Sequence, residues 1–170
     1  MPINNPYAIG NGWFVNDIIF ADNANKEYDI LGKIDLRHQA VADVKFKNIL
    51  KTAATKDNIT ADQGKVRLDK YAPNHLEYSV YSKHGGIVVL SEIYYPGWKA
   101  TIDGSEVEIG RANYILRAIK VPAGKHKIVF DFHPKSIAIT ETIAYIAIAI
   151  LLLALIFIGY VEWKNKKKQM

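Results

Sequence analysis

The chain contains no cysteine. That absence excludes disulfides, thiolate metal sites and cysteine catalysis, and leaves the compartment open. His38, His75, His84, His126 and His133 stand apart from one another, without the short paired spacing of a zinc site. Asp35, Asp43, Asp103 and Asp131 fall in turn or strand contexts, so no carboxylate pair stands out for acid–base work. Ser79, Ser91 and Ser105 lack a nucleophile elbow, and neither Gly85-Gly86 nor Gly10-Asn11-Gly12 follows a phosphate-cradling pattern. A basic stripe is missing too. The net charge is +5, but four lysines and one glutamate after residue 142 account for +3 of it. The nearly balanced remainder gives no support to a nucleic-acid partner. No catalytic residue, metal ligand or cofactor site is read from the chain.

Charge is also absent from the whole of Thr142 to Val161, TIAYIAIAILLLALIFIGYV. At roughly 1.5 Å per residue such a stretch reaches about 30 Å as a helix, the thickness of a bilayer's hydrocarbon core. It shows no polar stripe of the kind a buried soluble helix of this length carries. Tyr145 near one end and Tyr160 and Trp163 near the other stand where interfacial aromatics are expected. Trp163, Lys164, Lys166, Lys167 and Lys168 then orient the span: by the positive-inside rule the tail is cytoplasmic and the preceding residues lie outside. Two alternatives stay open, an apolar core helix and a tail anchor with the globular part in the cytoplasm. Thr140, Ala144, Ala147 and Ala154 fall near one helical face, a pattern that suits packing against another membrane helix or is simple alanine abundance.

MPINNPYAIGNGWF lacks the basic and apolar regions of a signal peptide. Exporting a polar domain therefore calls for an upstream signal or membrane helix, and the chain is expected to be the C-terminal piece of a longer polytopic protein.

What is present reads mainly as β structure. Met1 to Gly12 is an irregular entry, and WFVNDIIF (13–20) is strand-like around an Asn16-Asp17 break. Asp22 to Leu31 predicts a short helix, capped by Asp22, with Ala24, Tyr28 and Leu31 on one face and Gly32 closing it. Gln39–Asp43 is a candidate strand; Val44–Leu50 fits either a strand or a short helix. Asp57-Asn58 and Asp62-Gln63-Gly64 are turn signals. Val66–Tyr71 and Leu76–Tyr81 alternate, and Ile87–Leu90 has no polar partner, which predicts a strand buried on both faces. Trp98 to Ile102 alternates into Asp103-Gly104, a type I′ hairpin signal, with Val107–Ile109 returning. Tyr114–Val121 and His126–Phe132 complete the set. Short strands at this spacing predict an antiparallel β-sandwich or jelly-roll-like domain with a short N-terminal helix, followed by one transmembrane helix. The expected divisions are an α/β lead-in packed on the sandwich (1–64), an antiparallel β core (65–134), a linker (135–141), the span (142–161) and a basic tail (162–170). The short linker predicts a sandwich held near the membrane surface.

The segments YAPNHLEY (71–78) and LSEIYYPGWKATIDGSEVEIGRANYILRAIKVPAGKHKIVFDFHPKS (90–136), with the early NPYAIGNGWFV, resemble the C-terminal region of YfhO-type bacterial membrane proteins. The order of the three, and the spacing of YYPGW, IDG, RANY and PAGKH, carry the resemblance. It implies a large polytopic protein of the glycosyltransferase C type, which moves a sugar from a polyprenyl-phosphate carrier to an acceptor outside the membrane. It further implies a catalytic acid or base in an early extracytoplasmic loop that these residues do not include, so no catalytic residue carries over. The implied partners are the lipid bilayer, membrane helices of the same longer protein or of another, and a glycan or polyprenyl-phosphate sugar. The implied place is the bacterial inner membrane, β-domain outside.

Within the domain, Tyr94, Tyr95, Trp98, Arg111, Asn113, Tyr114 and Arg117 gather the groups that recognise sugars: aromatic faces and planar polar side chains. Alternation puts Trp98 on the core face with Ala100 and Ile102, sends Tyr94 and Tyr95 to opposite faces, and gives Asn113 a turn. Arg111, Arg117, Tyr95 and Tyr114 are left as candidate ligand contacts. An accessory part of a sugar transferase is the expected function. A freestanding membrane-anchored binding module and a structural brace are the rivals.

Overall fold

A computed structural model describes residue 5, residues 8–51 and residues 64–169, the side chains of 135–138, 162 and 168–169 apart. The turn signals at Asp57-Asn58 and Asp62-Gln63, and half of the irregular entry, lie outside the described residues. The chain forms two units, Met1–His133 and Pro134–Met170.

Among the described residues the first unit holds two antiparallel sheets and a parallel pair of strands. The four-stranded sheet runs β1 (Gly12–Val15), β6 (Gly86–Ile93), β10 (Leu116–Val121), β9 (Gly110–Ala112). The five-stranded sheet runs β4 (Lys65–Ala72), β5 (His75–Ser82), β11 (Gly124–Phe132), β7 (Trp98–Ile102), β8 (Ser105–Val107). Their inner faces close on one core, where Phe14, Val88, Leu90 and Ile119 meet Leu76, Tyr78, Ile128 and Phe130. Side chains alternate along a strand, so Ile87 and Val89 point to the opposite face of the four-stranded sheet. There they join Ala40, Ala42, Phe46, Leu50 and Ala118 in a second core. This is why Ile87–Leu90 needs no polar partner: both faces of β6 are covered, and all four residues are buried as the sequence predicts.

The second core is roofed by β2 (Asp17–Ala21), α1 (Ala24–Leu31), β3 (Gln39–Asp43), a 3₁₀ turn (Val44–Phe46) and α2 (Lys47–Leu50). β2 and β3 pair in parallel, which requires the crossover that α1 supplies. The ambiguous Val44–Leu50 resolves as helical, with the Asp43 side chain accepting from Lys45 N at 2.9 Å.

Four expectations are corrected. Asn23, not Asp22, caps α1: the helix begins at Ala24, so the Asn23 side chain meets Lys26 N at 3.0 Å, while Asp22 pairs with Lys26 Nζ at 2.7 Å. The buried residue of α1 is Glu27, whereas Ala24 and Tyr28 are exposed, because the helix faces a cation. Tyr114 lies outside β10, at φ 71° beside Asn113 at φ 49°. Such values cost about 1–3 kcal/mol for non-glycine residues unless neighbours fix them. Here Asn113 exchanges bonds with Val41, N–H to Val41 O at 2.7 Å and Val41 N–H to Asn113 Oδ1 at 3.1 Å, and the Glu27 carboxylate takes Tyr114 N–H at 2.9 Å. The return strand of the hairpin is Ser105–Val107, earlier than the alternation suggested. Its turn is as predicted: Asp103 (φ 51°) and Gly104 (φ 85°) are both left-handed, as type I′ requires.

The outer face of the five-stranded sheet carries ionic pairs. His75 Nδ1 meets Asp131 at 2.7 Å and its Nε2 meets Glu77 at 2.8 Å. Two carboxylates facing both ring nitrogens require both to be donors, so His75 is an imidazolium. Asp131 first, then Glu77, raise its pKa above 6.5. Lys127 first, then His75, lower Glu77 from 4.5 to about 2. The sign follows from linkage. The histidine's contribution is complete below 6.5 and fades as pH rises through the raised value; the glutamate's is complete above 4.5 and fades as pH falls towards 2. The cluster thus stabilises most between those limits. Between about pH 6 and about pH 9 the thermal midpoint of His75→Gln should fall less than that of the parent. An equal fall in both would remove His75 as its source.

The second unit is α3 (Lys135–Gln169), along which the described apolar side chains are exposed. Its stretch Ile139–Lys167 is long and apolar enough to cross a membrane. Trp163 packs against Tyr160 (centroids 6.3 Å) and beneath Lys167 Nζ at 4.1 Å; Lys164 and Lys166 are exposed, and the Lys168 side chain lies outside the described residues.

Candidate functional site

The candidate site is an open cleft of about 480 Å³ in the first unit, within the size range of ligand pockets. One wall is Phe46 and Ile49 from the 3₁₀ turn and α2. A second is Tyr94 to Lys99, the segment entering β7, and a third is Glu106 to Ile109 on and after β8. Arg117 of β10 lies at the edge of the sandwich core and lines the cleft.

Arg117 is the unusual group. It is only 2 % exposed. Its Nε donates to Ile93 O at 2.9 Å, its Nη2 stands 3.8 Å from Glu92, and its guanidinium lies over the Trp98 ring at 4.0 Å. Nη1 is buried without a hydrogen-bond partner, as is the Tyr78 hydroxyl. Burial lowers the arginine's pKa, with Glu92 opposing, but a guanidinium stays protonated. Burial likewise pushes Tyr78 up to about 12. A buried donor left unsatisfied costs about 1–3 kcal/mol, and Nη1 is closed off from the solvent that fills the cleft.

The aromatic walls divide their work. Phe46 and Tyr94 meet edge to face at 5.5 Å and pack on the second core, while Trp98 leans on Phe132 at 5.1 Å. Tyr95 is 62 % exposed, so the adjacent tyrosines split between packing and solvent as alternation predicts.

The four sequence candidates fall in two places. Arg117 and Tyr95 line the cleft together. Arg111 and Tyr114 belong to a cluster around Glu27: Arg111 Nη2 to Glu27 at 2.7 Å, its guanidinium 5.7 Å from the Tyr114 ring, and Tyr114 against Tyr28 at 6.4 Å. Sequence reasoning missed Lys99, Glu106 and Glu108. A signal existed, since Glu106 and Glu108 are two apart on the return side of the hairpin and Lys99 stands across it, 3.7 Å from Glu106. Among the described residues no group of His, Asp and Glu could hold a metal ion.

Compared with known proteins, residues 32–144 match the family described as bacterial membrane protein YfhO. Neither the curated proteins nor the solved structures give a match. The matched range covers β3 to β11 and the start of α3, well over half of the chain, and it includes every wall of the cleft. With one helix among the described residues able to span a bilayer, this is a membrane protein, and it belongs to the YfhO family.

Proposed function

We propose that the chain is the extracytoplasmic domain and terminal membrane anchor of a polytopic protein that transfers sugars from polyprenyl-phosphate carriers to acceptors in the bacterial cell envelope. The lysine-rich tail supports an orientation with the C-terminus in the cytoplasm. Within the transferase this chain's part is to hold the acceptor glycan; bond making belongs elsewhere. One observation carries the reading: aromatic rings and a nearly buried arginine converge on one cleft. Sugars are recognised by such rings against C–H faces and by planar donors to hydroxyls.

The test is kinetic, on the full-length protein. Tyr95→Ala removes an exposed ring whose aromatic neighbour is Phe132 at 6.2 Å, so it should raise KM for the acceptor roughly tenfold, equivalent to about 1.4 kcal/mol, and leave kcat nearly unchanged. A fall in kcat at constant KM would put the cleft in the chemical step and sink the accessory role. No change in either would remove the acceptor from the cleft.

A further inference from the structure

Resting on that reading, we infer that the cleft takes an uncharged pyranose residue of the acceptor and rejects the phosphate of the carrier lipid. Three features of the lining point this way.

The first is what remains of Arg117. Phosphate recognition by arginine uses two parallel N–H bonds from one guanidinium. Here Nε is spent on Ile93 O and Nη1 is closed off from solvent, which leaves Nη2, 3.8 Å from Glu92. A single donor suits a hydroxyl or a ring oxygen and not a bidentate anion.

The second is the balance of charge. Lys99 and Arg117 are the cations of the lining, and each has a carboxylate within 4 Å: Glu106 at 3.7 Å and Glu92 at 3.8 Å. Glu108 adds a further negative charge to the wall. A phosphate would meet neutralised cations and a facing carboxylate, so its desolvation would go uncompensated.

The third is the donor and acceptor inventory. Carboxylates only accept hydrogen bonds, so Glu106 and Glu108 favour ligand groups that donate, such as O–H. A sugar supplies several donors and acceptors together, whereas an ionised phosphate supplies mainly acceptors. Tyr95 offers the open ring surface; the Trp98 face is occupied by Arg117.

The experiment is a titration of the full chain in phosphatidylcholine nanodiscs, since sugar-headed detergents would compete. The probes are chitotetraose, maltotetraose and cellotetraose against farnesyl phosphate and inorganic phosphate, followed by Trp98 fluorescence in a Trp13→Phe, Trp163→Phe background. At least one oligosaccharide should bind saturably, neither phosphate should compete, and Tyr95→Ala and Arg117→Met should each weaken binding about tenfold. Glu106→Lys with Glu108→Lys should weaken the sugar and create phosphate affinity. If Arg117→Met loses its β circular dichroism, Tyr95→Ala decides, because Tyr95 lies outside both cores. Farnesyl phosphate displacing the sugar, or no saturable sugar binding, overturns the inference. Sugar binding untouched by Tyr95→Ala overturns its location. The transferase reading fails separately, when full-length protein with an intact sugar-binding cleft moves no sugar.

Discussion

Arg111→Ala should destabilise the β-domain by about 3–5 kcal/mol, the cost of leaving a buried charge without its partner. Glu27 is fully buried, with one carboxylate oxygen on Arg111 Nη2 at 2.7 Å and the other on Tyr114 N–H at 2.9 Å. Without the guanidinium, one amide bond must hold a carboxylate away from water. Removing the acid is milder. In Glu27→Gln the amide oxygen can still accept from Tyr114, and Arg111, with a fifth of its side chain exposed, retains water and Asp43 at 3.9 Å, so about 1–3 kcal/mol is expected. Replacing both by methionine should recover most of the larger loss, because the desolvation of two charges disappears with them. Urea unfolding of the full chain, followed by near-ultraviolet circular dichroism, gives all three values. An Arg111→Ala loss below about 1 kcal/mol would mean that the pair is an exposed one in effect.

The same pair explains why a candidate ligand group and a structural clamp look alike in sequence. Arg111 and Arg117 sit opposite each other in the β9–β10 register, in one short stretch rich in aromatics. One has its Nη2 committed to Glu27, 84 positions earlier in the chain; the other lines the cleft, and each keeps one buried N–H without a partner. Nothing local to RANYILR distinguishes them.

Distance along the chain also separates what was legible from what was not. The strands announce themselves through local rules: alternation in Leu76–Tyr81, an unbroken apolar run at Ile87–Leu90, a left-handed pair at Asp103-Gly104. The α1 pattern misleads because its buried residue is an acid whose partner lies far away, so the apolar face drawn through Ala24 and Tyr28 is the exposed one. β9 is three residues long and too short to show a period. Tyr114 reads as a strand residue because aromatics favour strands, yet side-chain and backbone bonds from Glu27 and Val41 hold the turn there. The cleft was legible as a set of residue types around Tyr94–Trp98 and Arg117. Its acidic wall left only the spacing of Glu106 and Glu108 as a trace, because exposed glutamates on a hairpin are ordinary until another wall stands beside them.

The wall of Phe46 and Ile49 is set by Leu50, and Leu50→Ala should cost about 2–5 kcal/mol. The side chain is 1 % exposed and sits in the second core with Val89, Phe46 and Ala118. Its seat is a notch at Gly110, where an added Cβ would come within 2.7 Å of the Leu50 side chain. Space alone decides the outcome at Gly110, since its backbone is not left-handed. Gly110→Ala should therefore cost about 1–3 kcal/mol by overpacking. In the double variant the new methyl occupies part of the cavity, so its loss should be smaller than the sum of the two singles, a favourable coupling readable in a double-mutant cycle. The effect reaches function through α2, because Leu50 anchors the segment that carries Phe46 and Ile49 to the cleft. Sugar affinity should fall in Leu50→Ala although no residue of the cleft has changed, and recover in part in the double variant. If the losses simply add and affinity does not follow stability, the notch does not position this wall.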